Sequence, residues 1–358
     1  MSSIRFDPSH GPDIIEYYYT KYSECRKDTS YLATSQFLTT FTHSIQIIQT
    51  PLVILTGYCI LMKTPKAMGS LKWAMLNVHL WNTIADVLFC SLGTPYIFFP
   101  TFAGFPTGLL TDLGVPIPVQ LFIMFASMGF LFSSVAALFE NRSSSFEMNR
   151  FRIEKSSTRL TVFILNGVVF SLAWLPLFLN LPDQNSTKLE ILVKSLNCPT
   201  EEFFTSPVFI LTADWFWGVY LRVVLMTEFL IMIGAAVFFI ACTAYFMFYS
   251  EKVTYSVSTR GLQKRFFVGN LVQIAIPWFC WSIPGGAALI SLIFNYYDQS
   301  ITNISMALLS LHGLCTMIVT LLIHHPYRSF LMGYFVKHRK NSLKPISNPK
   351  LSLISKVS

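Results

Sequence analysis

Apolar residues in this chain come in long unbroken runs. They show neither the alternation of a half-buried strand nor the three-and-four spacing of a soluble amphipathic helix. Seven runs can cross a hydrocarbon layer of about 30 Å, which takes roughly 20 helical residues. They fall near 37–62, 74–98, 118–140, 160–182, 218–249, 267–294 and 304–325. Helix is the predicted form, because an open strand in lipid leaves backbone groups unpaired. The first run carries Thr, Gln, Ser and His43 along its length, so part of it faces protein. After the seventh run the pattern changes. In PYRSFLMGYFVKHRK, Phe330, Leu331, Tyr334 and Phe335 share one helical face, and Arg328, Lys337, Arg339 and Lys340 supply positive charge. Pro326 turns the chain, and 326–340 is predicted to lie along the membrane surface as a short amphipathic helix. The expected organisation is an external N-terminus over 1–36, a bundle over 37–325, the interfacial helix, and a disordered basic tail over 341–358.

Composition supports a lipid environment. Of the 358 residues, 53% are hydrophobic and 12% charged, against about 25% charged in a soluble domain. The net charge of +8 is not gathered on one domain, so nucleic acid is not an expected partner. The basic residues instead alternate between the two ends of the runs. Lys63, Lys66 and Lys72 follow the first run, and Arg142, Arg150, Arg152, Lys155 and Arg159 follow the third. Lys252, Arg260, Lys264 and Arg265 follow the fifth, and the tail adds seven more from Arg328 to Lys356. The other ends have four in the N-terminus, none in 99–117, Lys188 and Lys194 in 183–217, and none in 295–303. This bias predicts an outside N-terminus and a cytosolic C-terminus. No cleavable leader is visible among the first thirty residues. The sequons at Asn185 and Asn303 then fall outside and are candidate glycosylation sites, whereas Asn141-Arg-Ser falls inside. Cys25 and Cys198 are the cysteines outside the predicted spans, both on the oxidising side, and they are expected to pair. No CxxC pair suggests a metal site, and no cofactor is expected.

Polar residues inside the runs are functional candidates, because a charge in hydrocarbon is costly unless paired or hydrated. Asp86 lies midway along the second run, with Asn82 one turn before it. Glu228 lies about 9 Å deeper than Arg222 in the fifth, where it would meet a polar ligand or pair with His79 or His312. Trp278, Trp281, Pro277 and Pro284 predict a bend in the sixth. With Asp86, Glu228 and His312, Trp281 completes the ligand-binding candidates. Glu140 and Arg142 close the third run; two apart on a helix, they do not face each other, so Arg142 is expected to reach another helix.

Several of these features resemble rhodopsin-like receptors: the buried acid at Asp86, the acidic–Arg pair at Glu140 and Arg142, the Trp281–Pro284 hinge, and His325-Pro326-Tyr327 before the interfacial helix. The segments SYLATSQFL, GYCILMKTPKAMGSLKWAMLNVHLW, PYIFFPTFAGFPTGLL, ALFENR and HHPYRSFL occur in that order along the chain. Together they resemble the nematode serpentine receptors of class H. The resemblance implies an all-α membrane protein: a rhodopsin-like seven-transmembrane bundle that binds a small ligand and activates a heterotrimeric G protein on a sensory-neuron membrane. Glu140, Arg142, Pro284, Pro326 and Tyr327 would carry the switch. A ligand-gated channel or a small-molecule transporter is the alternative. An enzyme is not expected, since the sequence has no GxSxG or HExxH motif and no paired intramembrane aspartates.

Overall fold

The computed structural model describes residues 4–25, 30–66, 69–196, 198–250 and 257–342; side chains are not described at 257–260, 262, 274, 276–277 and 334–342. Lys252, the tail beyond 342, and the side chains of Arg260, Pro277, Tyr334, Phe335, Lys337, Arg339 and Lys340 therefore lie outside what is described. The chain begins with a short helix, α1 (Pro12–Thr20), ahead of α2 (Ser35–Lys63). α3 (Leu71–Val87) runs into a π turn over Leu88–Leu92. A one-turn α4 (Leu109–Asp112) precedes α5 (Ile117–Ser143) and α6 (Ser156–Leu179). Next come α7 (Gln184–Lys194), the short α8 (Glu202–Thr205), and α9 (Trp215–Ala244) with its own π turn to Tyr249. α10 (Val257–Phe294), α11 (Gln299–Ile323) and α12 (His325–Ser342) complete the order.

The long helices α2, α3, α5, α6, α9, α10 and α11 form the bundle. Six of these seven are long and apolar enough to cross a membrane on their own; the exception is α3. The second apolar run does not stay helical to 98. Its helix ends with the π turn at Leu92, and Thr94 takes a left-handed φ of 45°. Pro95 disfavours helix at the residue before it. Pro95–Phe98 is instead a strand, β1. At their capped ends, α2, α9 and α11 start on side chains that accept backbone N–H groups: Thr34 from Phe37, Asp214 from Phe216, and Asp298 from Ile301. Pro51 sits inside α2 and Pro176 inside α6, while α10 runs as one helix through Pro284.

The segments between the apolar runs at this end fold into a cap, which adds a small sheet to an otherwise helical molecule. β1, β2 (Phe102–Pro106) and β3 (Phe209–Thr212) are antiparallel in the order β1-β2-β3. Gly104 is required in β2, because a Cβ there would sit 2.3 Å from the carbonyl oxygen of Tyr96. The cap has its own apolar core of Ile14, Tyr22, Tyr96, Phe98, Leu192, Phe203, Phe204 and Ile210. A disulfide joins Cys25 to Cys198, 173 residues apart, and binds the N-terminal segment over α7 and α8. Linking positions so distant removes much loop-closure entropy from the unfolded chain. Asn303 is part of this packing. It is fully buried, and its amide donates to the carbonyls of Leu32 (2.8 Å) and Thr34 (3.1 Å). The nitrogen that would carry a sugar at Asn303 is thus committed inside the protein. Asn185, on α7, is exposed.

His10 anchors α1 to the cap. Its Nε2 donates to the carbonyl of Phe203 (2.9 Å), and its Nδ1 lies 3.7 Å from Asp7. Burial, and then the nearby Lys188 ammonium, push its pKa below the usual 6.5, and the Phe203 and Asp7 contacts offset this in part. The folded cap thus binds this proton less readily than the unfolded chain. Its contribution to stability is full above about pH 6.5 and is lost as pH falls through the lowered value. Hydrogen exchange of α1 across pH 7.5 to 5 should show protection falling by at most about 1.4 kcal/mol per pH unit, and His10→Gln should flatten that slope.

Candidate functional site

At the uncapped end, Glu140 and Arg142 turn to different helices, as two positions on successive faces of α5 must. Glu140 accepts from Arg159 of α6 (Nε–Oε2 2.5 Å) and from the Ser144 hydroxyl (2.5 Å). Both charges are largely buried, so removing one partner would strand the other. Arg142 reaches α10, where its Nη2 donates to the backbone carbonyl of Gln263 (2.7 Å). Tyr327 is fully buried, and its hydroxyl is 2.6 Å from that of Thr64, where α2 ends. It packs with Cys59, Leu71, Leu138, Phe266 and Leu321. His324 lies flat on Phe266 (4.8 Å) and meets Tyr327 edge-on. Pro326 stands near the start of α12, which leaves α11 almost at once and packs Phe330 under Lys63, 4.2 Å from the ring centre.

Midway through the bundle, Asp86 is buried and accepts from the Asn82 amide (2.9 Å). His312 Nε2 is 3.5 Å from the other Asp86 oxygen, while its Nδ1–H donates to the carbonyl of Leu309 (2.7 Å). With Nδ1 as the donor, Nε2 and the carboxylate oxygen both present lone pairs, so their contact is attractive only when a proton sits on one of them. The other face of His312 meets the edge of Trp281, with ring centres 5.8 Å apart. Gly313 makes the arrangement possible: a Cβ there would lie 1.7 Å from Asp86 Oδ2.

Between this polar centre and the cap lies a cavity of about 310 Å³. Phe89 below the cap, Phe125, Met128 and Phe132 of α5, and Trp174 of α6 form one side. Glu228 of α9, Trp281, Pro284 and Ser291 of α10, and Thr302 and Ser305 of α11 form the other. Phe125 and Trp174 stack at 4.0 Å, which holds the α5–α6 wall. Trp281 also lines a second, smaller space of about 70 Å³ with Asn82, Gln273 and His312. The indole thus divides the outer cavity from the polar centre.

The family model for the serpentine type 7TM GPCR chemoreceptor Srh matches residues 33–337. The chain belongs to this family of chemoreceptors. The Caenorhabditis elegans protein serpentine receptor class H-72 is 33% identical over 343 residues, spanning 95% of this chain and 98% of that one. The crystal structure of squid rhodopsin superposes with a TM-score of 0.56, covering 94% of this chain and 91% of that one at 11% identity, and so shares the fold. The protein is therefore a multi-pass membrane receptor of a chemoreceptor family and not of an enzyme family.

In this Srh receptor the four ligand candidates divide. Glu228 and Trp281 line the outer cavity, while Asp86 and His312 lie behind Trp281 as a buried polar pair. The pairing expected between Glu228 and His79 or His312 does not form, because His79 bonds to the Val53 carbonyl and His312 faces Asp86. Arg159, Thr64, Gln263 and His324 were not singled out by the sequence. Arg159 reads as ordinary charge at a helix end, and only the fold brings it to Glu140. Gly313→Ala should lower stability by about 3 kcal/mol, since the methyl group cannot be accommodated against the carboxylate. Thermal melting of the solubilised receptor measures this, and Asp86→Ala in the same chain should recover much of the loss.

Proposed function

We propose that this receptor binds a small extracellular ligand in the cavity beneath the cap and activates a heterotrimeric G protein at the opposite end. The observation that carries the reading is the position of Trp281, which borders the ligand-sized cavity on one side and touches His312 of the buried polar centre on the other. A ligand resting on this indole changes the packing of α10 at the level of Pro284. The uncapped end of α10 is held to α5 by the hydrogen bond from Arg142 to Gln263. A ligand with higher affinity for the arrangement in which that bond is open shifts the population toward it. The crevice between α5 and α10 then receives a segment of the G protein. Glu140, Pro326 and Tyr327 act as fixed points around it, since each ties neighbouring elements together.

The cap faces outward in this reading, and the uncapped end faces the cytosol. The Lys and Arg bias along the chain supports that orientation, as does the disulfide in the cap, a bond that persists in oxidising compartments. The receptor sits in the plasma membrane, in sensory neurons if it serves as its family does, with α12 against anionic headgroups. Asn185 carries the glycan.

Second-messenger output from transfected cells exposed to an odorant panel tests the coupling; silence with every G protein tried would remove it. Arg142→Ala should raise ligand-independent output about five-fold, the shift that roughly 1 kcal/mol of population bias produces. Glycosidase treatment should sharpen and lower the electrophoretic band of the wild type and of Asn303→Gln, and leave Asn185→Gln unchanged. A glycan at Asn141 would invert the topology.

A further inference from the structure

The cavity beneath the cap has one ionisable lining residue, Glu228, set among aromatic and aliphatic carbon. Glu228 is 4% exposed, and its Oε1 is buried without a hydrogen-bond partner among the described residues. The Trp174 indole N–H makes a weak hydrogen-bonding contact with this carboxylate, too poorly aligned to satisfy either group. Among the described residues, the basic side chains that could approach it are engaged or placed elsewhere. Arg222 is about 9 Å away along α9 at 1.5 Å per residue and lines a different cavity, under β2 and α7. Lys194 is paired with Glu190, and His79 and His312 face Val53 and Asp86. A carboxylate held out of water without a charged partner is unfavourable, and a cation entering the cavity that Glu228 lines would relieve it.

We infer that the ligand is an apolar amine: a molecule with a hydrophobic, ring-sized body and one ammonium group that sits against Glu228. This rests on the cavity being the binding site. The ammonium forms a charge-assisted hydrogen bond with the Glu228 carboxylate. Phe125, Phe132 and Trp281 take up the body, and burial of that apolar surface supplies most of the affinity. A ligand with several polar groups is disfavoured, because the rest of the lining offers only the hydroxyls of Ser291, Thr302 and Ser305 and the indole N–H groups of Trp174 and Trp281 besides carbon and backbone. The preference is therefore for one charge on an otherwise greasy skeleton.

The test uses the full-length receptor in lipid nanodiscs and a series of arylalkyl amines of increasing length, beginning with 2-(2-naphthyl)ethylamine. Each amine is paired with the alcohol of the same skeleton. Ligand-induced thermal shifts give apparent Kd values. The best amine should bind at least about ten-fold more tightly than its alcohol, the margin expected of one charge-assisted contact. Glu228→Gln and Glu228→Met should both erase the difference, with the melting temperature of each unliganded variant reporting its folding. Ala288→Trp, which fills the cavity, should abolish binding of both members of a pair. Amines and alcohols that bind equally to the wild type, a preference that survives in both Glu228 variants, or a folded wild type that binds no amine would each overturn the assignment. Binding that Glu228 variants equalise and Ala288→Trp abolishes places the amine and keeps the cavity. Equal binding that only Ala288→Trp abolishes keeps the cavity and discards the amine. Binding that Ala288→Trp leaves intact discards the cavity itself.

Discussion

Inside a bilayer a peptide N–H or carbonyl finds no water, so each must be satisfied within the protein. Helices meet that demand for the backbone, and the seven long ones follow from it. The same demand then falls on every polar side chain that the helices carry inward. Asn82 bonds to Asp86, Arg159 to Glu140, and Tyr327 to Thr64. Each pair joins two elements or stiffens one, so the few polar groups of the interior set how the helices are registered. Glu228 differs from these: it is a buried acid with no charged partner among the described residues.

The bundle was legible in the sequence because one physical rule, length of apolar run against thickness of hydrocarbon, governs it. The cap was not. Its strands are four or five residues long, and Phe102–Pro106 pairs with Phe209–Thr212 more than a hundred residues away. Short runs of Phe and Ile between spans read equally as loop or as the end of a helix, which is why the second run seemed to continue to 98. The sheet exists because the backbone beyond Thr94 turns away and finds partners that no local pattern announces.

The functional residues were legible by type but not by grouping. A carboxylate or a tryptophan within a span stands out for its chemistry, and Asp86, Glu228 and Trp281 stood out for that reason. Which of them share a space depends on helix rotation. Asp86 and His312 turn toward each other because Gly313 leaves room, and a glycine in an apolar helix carries no signal of what approaches it. Asn303 makes the matching point. A three-residue acceptor motif reports chemistry, while its buried amide, bonded to Leu32 and Thr34, is a property of the fold.

In its bond to α10, Arg142 grips a main-chain oxygen at position 263. Every amino acid brings the same carbonyl to that spot, so replacement at 263 cannot delete the acceptor while the helix keeps its course. That one bond between α5 and α10 is thus guarded on its acceptor side against mutation, and heredity can remove it only through the guanidinium.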